Sequence, residues 1–309
     1  MIGRSFAKIA ALAVGAWVMP GCAEPAAPPA CRVGADCASG TCLTDGRCLP
    51  SDGDASAGTA GPGGGATGAG GGMACTPNGD AVLERDEIVL GPGLAATYRV
   101  ARNVPVDTGG EALADGRFAW DLSGALAGDI DEAIATTTLE GAWFASSYPG
   151  ASYVAPLTKD ALLGEVVGVF ETRPDALVLR GVASIASGAT ATRVAHAPGA
   201  TVLAFPLAVG ATWKSTSTVS GQALGLPTLY SETYDAKVDR AGTLKTPFGP
   251  FEVMRVRTTL TRVVGALPTV TRSFAFVAPC FGAVATITAK AGELAEEFSL
   301  AAEVKRLAP

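Results

Sequence analysis

Residues 75–309 predict an all-β protein: an antiparallel curved sheet or sheets, or a sandwich, in one piece or in two halves divided near residue 208. Three observations carry this prediction. Polar and apolar residues alternate with a period of two, turn-forming groups recur about every ten residues, and long helical stripes are few. In Thr228 to Val238, Tyr230, Tyr234, Ala236 and Val238 fall on one face, with Ser231, Thr233, Asp235 and Lys237 on the other. In Phe251 to Val263, Met254, Val256 and Leu260 point inward, while Arg255, Arg257, Thr259 and Thr261 point outward. Phe298, Leu300, Ala302 and Val304 share parity near the end. Strands with one polar face belong to antiparallel sheets, because all-parallel sheets are buried on both faces. Turns are expected at Asp115-Gly116, Asp239 to Gly242 and Pro247 to Pro250. Short helices are expected at Asp129 to Thr136 and Thr158 to Leu163.

Ahead of this body the chain reads as four short pieces. Arg4 and Lys8 precede an apolar run from Ile9 to Met19, too short to span a bilayer of ~30 Å but right for an export signal over residues 1–21. The run ends at Met19-Pro20-Gly21-Cys22, which resembles the lipobox of bacterial lipoproteins. That resemblance implies that Cys22 becomes the acylated first residue of the mature chain, with 22–30 as its tether. Several fatty acyl chains at ~0.8 kcal/mol per buried CH2 would anchor the protein to a membrane without spanning it. Ala23 stands where the family's inner-membrane retention signal has Asp, so the resemblance implies the outer membrane. The other reading of these residues is an ordinary signal cut elsewhere, with Cys22 a plain thiol.

Seven cysteines are an odd number, and assigning Cys22 to lipid leaves six for an oxidising compartment. Cys31, Cys37, Cys42 and Cys48 lie within 31–49 with only Val33 and Leu43 as sizeable apolar neighbours. No hydrophobic core can hold that segment, so two disulfides in one of three pairings are expected, with a zinc site as the lesser reading. The pattern resembles short Cys-rich spacers near the N-terminus of exported bacterial lipoproteins. Residues 50–74 include ten glycines and no aromatic residue, and read as a flexible linker. Cys75 and Cys280 are left to pair with each other.

Composition narrows the function. Twenty-three Lys and Arg against 29 Asp and Glu give a net charge of −6, which excludes a nucleic-acid partner. His196 is the only histidine, so motifs needing two cannot form. It sits in Ala195-His196-Ala197-Pro198-Gly199, read as a solvated turn, and the chain contains no G-x-S-x-G elbow. Val106-Asp107-Thr108-Gly109 copies an aspartic-protease signature, but no second copy exists to share its proton, which leaves a turn.

Two constellations remain as candidate sites. Thr76 to Glu87 resembles the twelve-residue calcium loop of EF-hands and dockerin repeats, and the resemblance implies Asn78, Asp80, the Val82 carbonyl and Glu87 as ligands. Thr76 and Ala81 replace the first-position Asp and the turn glycine, so the expected state is a capped loop, with calcium the alternative. Trp143, Phe144, Tyr148 and Tyr153 put rings on both strand faces and in a loop, a pattern suited to an apolar ligand as well as to a core.

Tyr230 to Val256 is similar to the hairpin of uncharacterised periplasmic proteins with a curved antiparallel sheet, related in shape to bacterial carriers of lipoproteins and lipids. The sequence therefore points to a membrane-anchored envelope lipoprotein with a non-catalytic binding or structural role, meeting an envelope protein or an apolar ligand and needing no cofactor. Carriage of an apolar ligand in a sheet cavity is the first alternative and a hydrolase the second.

Overall fold

The computed structural model describes residues 75–160 and 164–309. The signal, Cys22 and its tether, the cluster of Cys31, Cys37, Cys42 and Cys48, and the 50–74 linker lie outside the described residues. The strands are β1 (Ala95–Pro105), β2 (Glu111–Ala112), β3 (Phe118–Asp121), β4 (Ile130–Ala135), β5 (Tyr153–Asp160), β6 (Gly164–Thr172) and β7 (Ala176–Ser184). They continue as β8 (Arg193–Ala204), β9 (Thr212–Ala223), β10 (Leu226–Lys245), β11 (Pro250–Val264), β12 (Leu267–Ala278), β13 (Gly282–Ala289) and β14 (Leu300–Ala308). All fourteen belong to one sheet.

From β5 to β14 each strand pairs with the next in sequence; β1 then pairs with β14, and β4 with β1. The two outermost strands of this path, β4 and β5, meet again. Thr137, just beyond β4, exchanges both backbone hydrogen bonds with Val154 of β5, at 3.0 and 2.9 Å. The sheet is therefore a nearly closed, antiparallel barrel. Its one parallel pairing is β3 beside β10, from Gly242 opposite Phe118 to Lys245 opposite Asp121. Here β10 has run past its last pairing with β9, at Lys237, and presents a vacant edge.

Three hydrophobic clusters build the core. Inside the barrel, Leu83 and Ile88 of the segment before β1 pack with Leu207, Val238, Met254, Val256 and Val277. Outside it, residues 106–122 and Phe298 cover β11 to β14, with Trp120 and Leu122 against Phe274, Phe276 and Ile287. On the outer face of β5 to β7, Phe144 and Tyr148 lie on Val154, Val167 and Val169. Gly181 permits this last contact, since a Cβ there would stand 2.3 Å from the Tyr148 ring.

Two buried arginines fasten the outer cover. Arg255 is fully buried and donates to both oxygens of Asp239, at 3.0 and 2.7 Å, to both oxygens of Glu297, at 3.1 and 2.7 Å, and to the Thr108 carbonyl. Its guanidinium also lies 4.2 Å from the Phe274 ring centroid. Arg306 bonds the carbonyls of Leu122 and Gly124 and the Asp129 carboxylate. Buried charge is tolerated only when so paired.

The N-terminal segment is fixed at one end of the barrel. A disulfide joins Cys75 to Cys280, with Cα atoms 5.5 Å apart, and the Cys280 amide donates to the Glu87 carbonyl at 2.7 Å. Leu83 and Leu207 exchange backbone hydrogen bonds at 2.9 Å, closing the same end.

Several local expectations are corrected. Asp129 to Thr136 is not a helix, because residues 130–135 form β4 and pair with the open edge of β1. Thr158 to Asp160 likewise extend β5, and residues 161–163 lie outside the described residues. Asp239 to Gly242 is not a turn but the middle of β10, which bulges between Val238 and Arg240. Gly242 serves close approach instead, since a Cβ there would lie 1.8 Å from the Phe118 carbonyl oxygen. No second sheet begins near 208, because β8 and β9 pair across that point from Arg193 opposite Gln222 to Ala197 opposite Thr218. Arg255 faces the outer cover rather than solvent. At the start of β14, Leu300 is exposed and Ala301 buried, opposite to the expected parity, beside a bulge between Thr288 and Ala289. The turns at Asp115-Gly116 and Pro247 to Pro250 lie as expected, joining β2 to β3 and β10 to β11.

Candidate functional site

Paired residues of antiparallel strands share a face, so the register identifies the side chains of the barrel's interior. Tyr98 on β1 stands opposite Glu132, two residues from Ile134 on the same face of β4. Across the join, Ala155 of β5 stands opposite Gly168, two residues before Phe170. All line one cavity of about 320 Å³ together with Tyr153, Leu177 and Leu203. Ile88 of the N-terminal segment and Phe281, beside the disulfide, line it as well. A cavity shared by β1, β4 and β5 to β8 requires the curl that brings the two ends of the strand path together.

Its walls are apolar with two phenols. Tyr153 stacks on Phe170 with ring centroids 5.4 Å apart. The Tyr98 hydroxyl donates to the Ala283 carbonyl at 2.8 Å. Burial pushes both phenols up to about 12, against a weak opposing pull from Arg85 on Tyr153. Both stay neutral at physiological pH, so the cavity carries no anionic charge from either ring.

A different environment occupies the same concave face further along the strands. His196 on β8 is buried and its Nε2 lies 3.0 Å from Glu232 Oε2. Glu232 also accepts hydrogen bonds from the Tyr234 hydroxyl at 2.9 Å and from Arg262 Nε at 2.9 Å, and Arg262 Nη2 lies 2.8 Å from its Oε1. Burial alone would raise the Glu232 carboxyl, but the bonds from His196, Arg262 and Tyr234 outweigh it and hold the group down at about 2. The same burial and the Glu232 charge push the Tyr234 phenol well above its ordinary range. His196 is thus a strand residue within the barrel wall, not a solvated turn residue as the Ala-Pro-Gly context suggested. Its Nδ1 and the nearby Ser217 Oγ are buried without partners. Ser217 and Glu232 are register partners, yet Ser217 makes no bond to the histidine, and the pair lacks the nucleophile-to-base contact that acyl transfer requires.

The aromatic set chosen from sequence divides. Tyr153 lines the cavity. Phe144 and Tyr148 are buried under the outer cover, with the Tyr148 hydroxyl donating to Val194 and Val182 carbonyls at 2.8 and 3.1 Å. Trp143 Nε1 donates to the Ser184 carbonyl at 3.0 Å, under the Arg193 guanidinium. Phe144 and Tyr148 are thus core rings, while Trp143 is half-buried with its Nε1 bonded.

The calcium-like loop is bonded to itself. Glu87 accepts from the backbone amides of Asn78 at 2.8 Å and Glu84 at 3.0 Å. Asn78 Oδ1 accepts from the Asp80 amide, and Asp80 Oδ1 from the Val82 amide, at 3.0 and 2.9 Å. Asn78, Asp80 and Glu87 thus accept from the loop's own amides, and a calcium ion there would need their remaining oxygen lone pairs turned toward one point. Among the described residues no cluster of three His, Cys, Asp or Glu side chains is placed to hold a metal.

No family model, curated protein or solved structure matches this chain. Its chemistry has to be read from its own geometry.

Sequence reasoning missed Tyr98, Ile134 and Phe170. The alternation of Ala96, Tyr98 and Val100 with Thr97 and Arg99 marks them as one face of a strand. That this face turns inward follows only from closure of the barrel.

Proposed function

We propose that this chain is a non-catalytic envelope protein, tethered to a membrane through acylated Cys22, whose barrel carries an apolar ligand. The observation that carries this reading is the cavity between Tyr98, Tyr153, Phe170, Leu177 and Leu203, lined at one side by the Ile88 segment. Its volume of about 320 Å³ is in the range of small-molecule sites, ~300–1,000 Å³. Apolar walls with two neutral hydroxyls favour a mostly hydrocarbon guest bearing a small polar group.

The test is titration of the full chain with a fluorescent fatty acid, alongside Ala155→Trp, which fills the cavity. Saturable binding that weakens at least tenfold in the Trp variant is expected. Absence of binding to the wild-type chain, or equal binding to both, overturns the proposal.

A further inference from the structure

The hairpin turns of an antiparallel barrel alternate between its two ends. The turns β8–β9, β10–β11 and β12–β13 lie at the end held by the Cys75–Cys280 disulfide. The connections β7–β8, β9–β10 and β11–β12 lie at the other, together with the loop that follows β13. The four most exposed large apolar side chains among the described residues all lie at that second end: Leu294 at 80%, Leu267 at 76%, Leu229 at 69% and Leu226 at 68%. Val264 and Ile185 join them. The turns are braced against one another. Leu224 donates from its amide to Thr192 Oγ1 at 3.2 Å, and Gln222 Nε2 to the Ala189 carbonyl at 3.4 Å. The Gly292 amide bonds the Val270 carbonyl at 2.8 Å.

From this distribution we infer that the disulfide-free end of the barrel is a docking surface for a lipid bilayer, entered by the aliphatic tips at Leu226, Leu229, Val264 and Leu267. Aliphatic side chains gathered at one end of the fold and rimmed by polar residues mark an interaction surface, whereas singly scattered ones would need no cover. The tips stand on separate turns, with polar residues such as Gln222, Thr228 and Thr269 around them. A protein partner needs a continuous, closely packed patch, whereas a fluid interface admits each tip independently. The chain before Cys75 supplies the second argument. Residues 50–74 alone can extend to about 80–90 Å, longer than the ~50 Å of a fifteen-residue strand such as β11. A tether ending at the disulfide end therefore still lets the opposite end reach the bilayer that holds Cys22. This inference goes beyond ligand carriage and does not depend on it, but its tether argument rests on the proposed acylation of Cys22.

The experiment places a reporter at each end of the full chain. Leu267→Trp and Pro92→Trp are both surface substitutions, Pro92 being exposed in the turn before β1 at the disulfide end. Each variant is mixed with phosphatidylglycerol and phosphatidylethanolamine vesicles whose acyl chains carry bromine, a contact quencher of indole fluorescence. At least twofold stronger quenching is expected for Leu267→Trp than for Pro92→Trp. Adding Leu226→Glu and Leu229→Glu to the first variant should abolish the difference while leaving fatty-acid binding unchanged. Equal quenching at both ends, no quenching, or a dimer in lipid-free sedimentation that the Glu substitutions dissociate would overturn the inference; the last would assign the tips to a second copy of this chain.

Discussion

Replacing Glu232 by Gln isolates the buried polar cluster from the rest of the fold. The carboxyl is held at about 2 against an ordinary value of 4.5, a difference of ~2.5 units. At 1.36 kcal/mol per unit, this corresponds to about 3 kcal/mol of stability. The sign follows from linkage: the folded state binds the proton less readily than the unfolded state. The stabilisation is therefore complete above the unfolded value and disappears as pH falls from about 5 toward 2. Urea unfolding of wild-type and Glu232→Gln protein at a series of pH values gives the difference, with the titrating groups that do not touch Glu232 cancelling. The expected difference is roughly 3 kcal/mol and flat at neutral pH, shrinking steeply below pH 5. A difference that stays constant from pH 7 to pH 2.5 would refute the linkage argument and leave only a steric effect of the amide.

Two further substitutions test the outer cover. Arg255→Met leaves Asp239 without its cation and Glu297 with Arg240 alone, and breaking a buried pair from one side costs about 3–5 kcal/mol. Because Glu297 is partly exposed and can rehydrate, the lower end is expected; at ~2–4 °C per kcal/mol, the thermal midpoint falls by about 6–12 °C. Differential scanning calorimetry measures this shift. Gly242→Ala drives a methyl into the Phe118 carbonyl, and overpacking against backbone costs roughly 3 kcal/mol. Hydrogen exchange should then rise at Phe118 to Asp121 before it rises elsewhere in the sheet.

The period of two made the strands legible, and the even-numbered residues from Tyr230 to Val238 do face the interior. The failures share a cause. Val253-Met254-Arg255-Val256 is buried on both faces because the cover formed by residues 106–122 and 290–298 lies across the outside. Nothing local to β11 announces that cover, so Arg255 read as a solvent residue. Ile130 to Ala135 and Asp239 to Gly242 were misread for a related reason: pairing with β1 and the approach of β3 are decided thirty or more residues away. At the candidate site, Tyr153 was visible as an aromatic beside a loop. Its partners Tyr98 and Phe170 were not, since they meet only where the ends of the sheet converge. The Cys75–Cys280 bond was legible from parity of counting, because no other partner remained for either thiol.

The pairing of β1 with β14, Thr97 opposite Ala308 and Pro105 opposite Leu300, sets an order of events in time. The strand near residue 100 can pair with β4 some thirty to forty residues later, but its other edge has no neighbour until a strand near residue 300 exists, and contacts so far apart along a chain form slowly. A polypeptide delivered from its N-terminus must keep its first strand waiting, with an unsatisfied edge, through the delivery of some two hundred residues. That interval is when the chain is most open to wrong partners, and when a helper that shields lone strands would matter most.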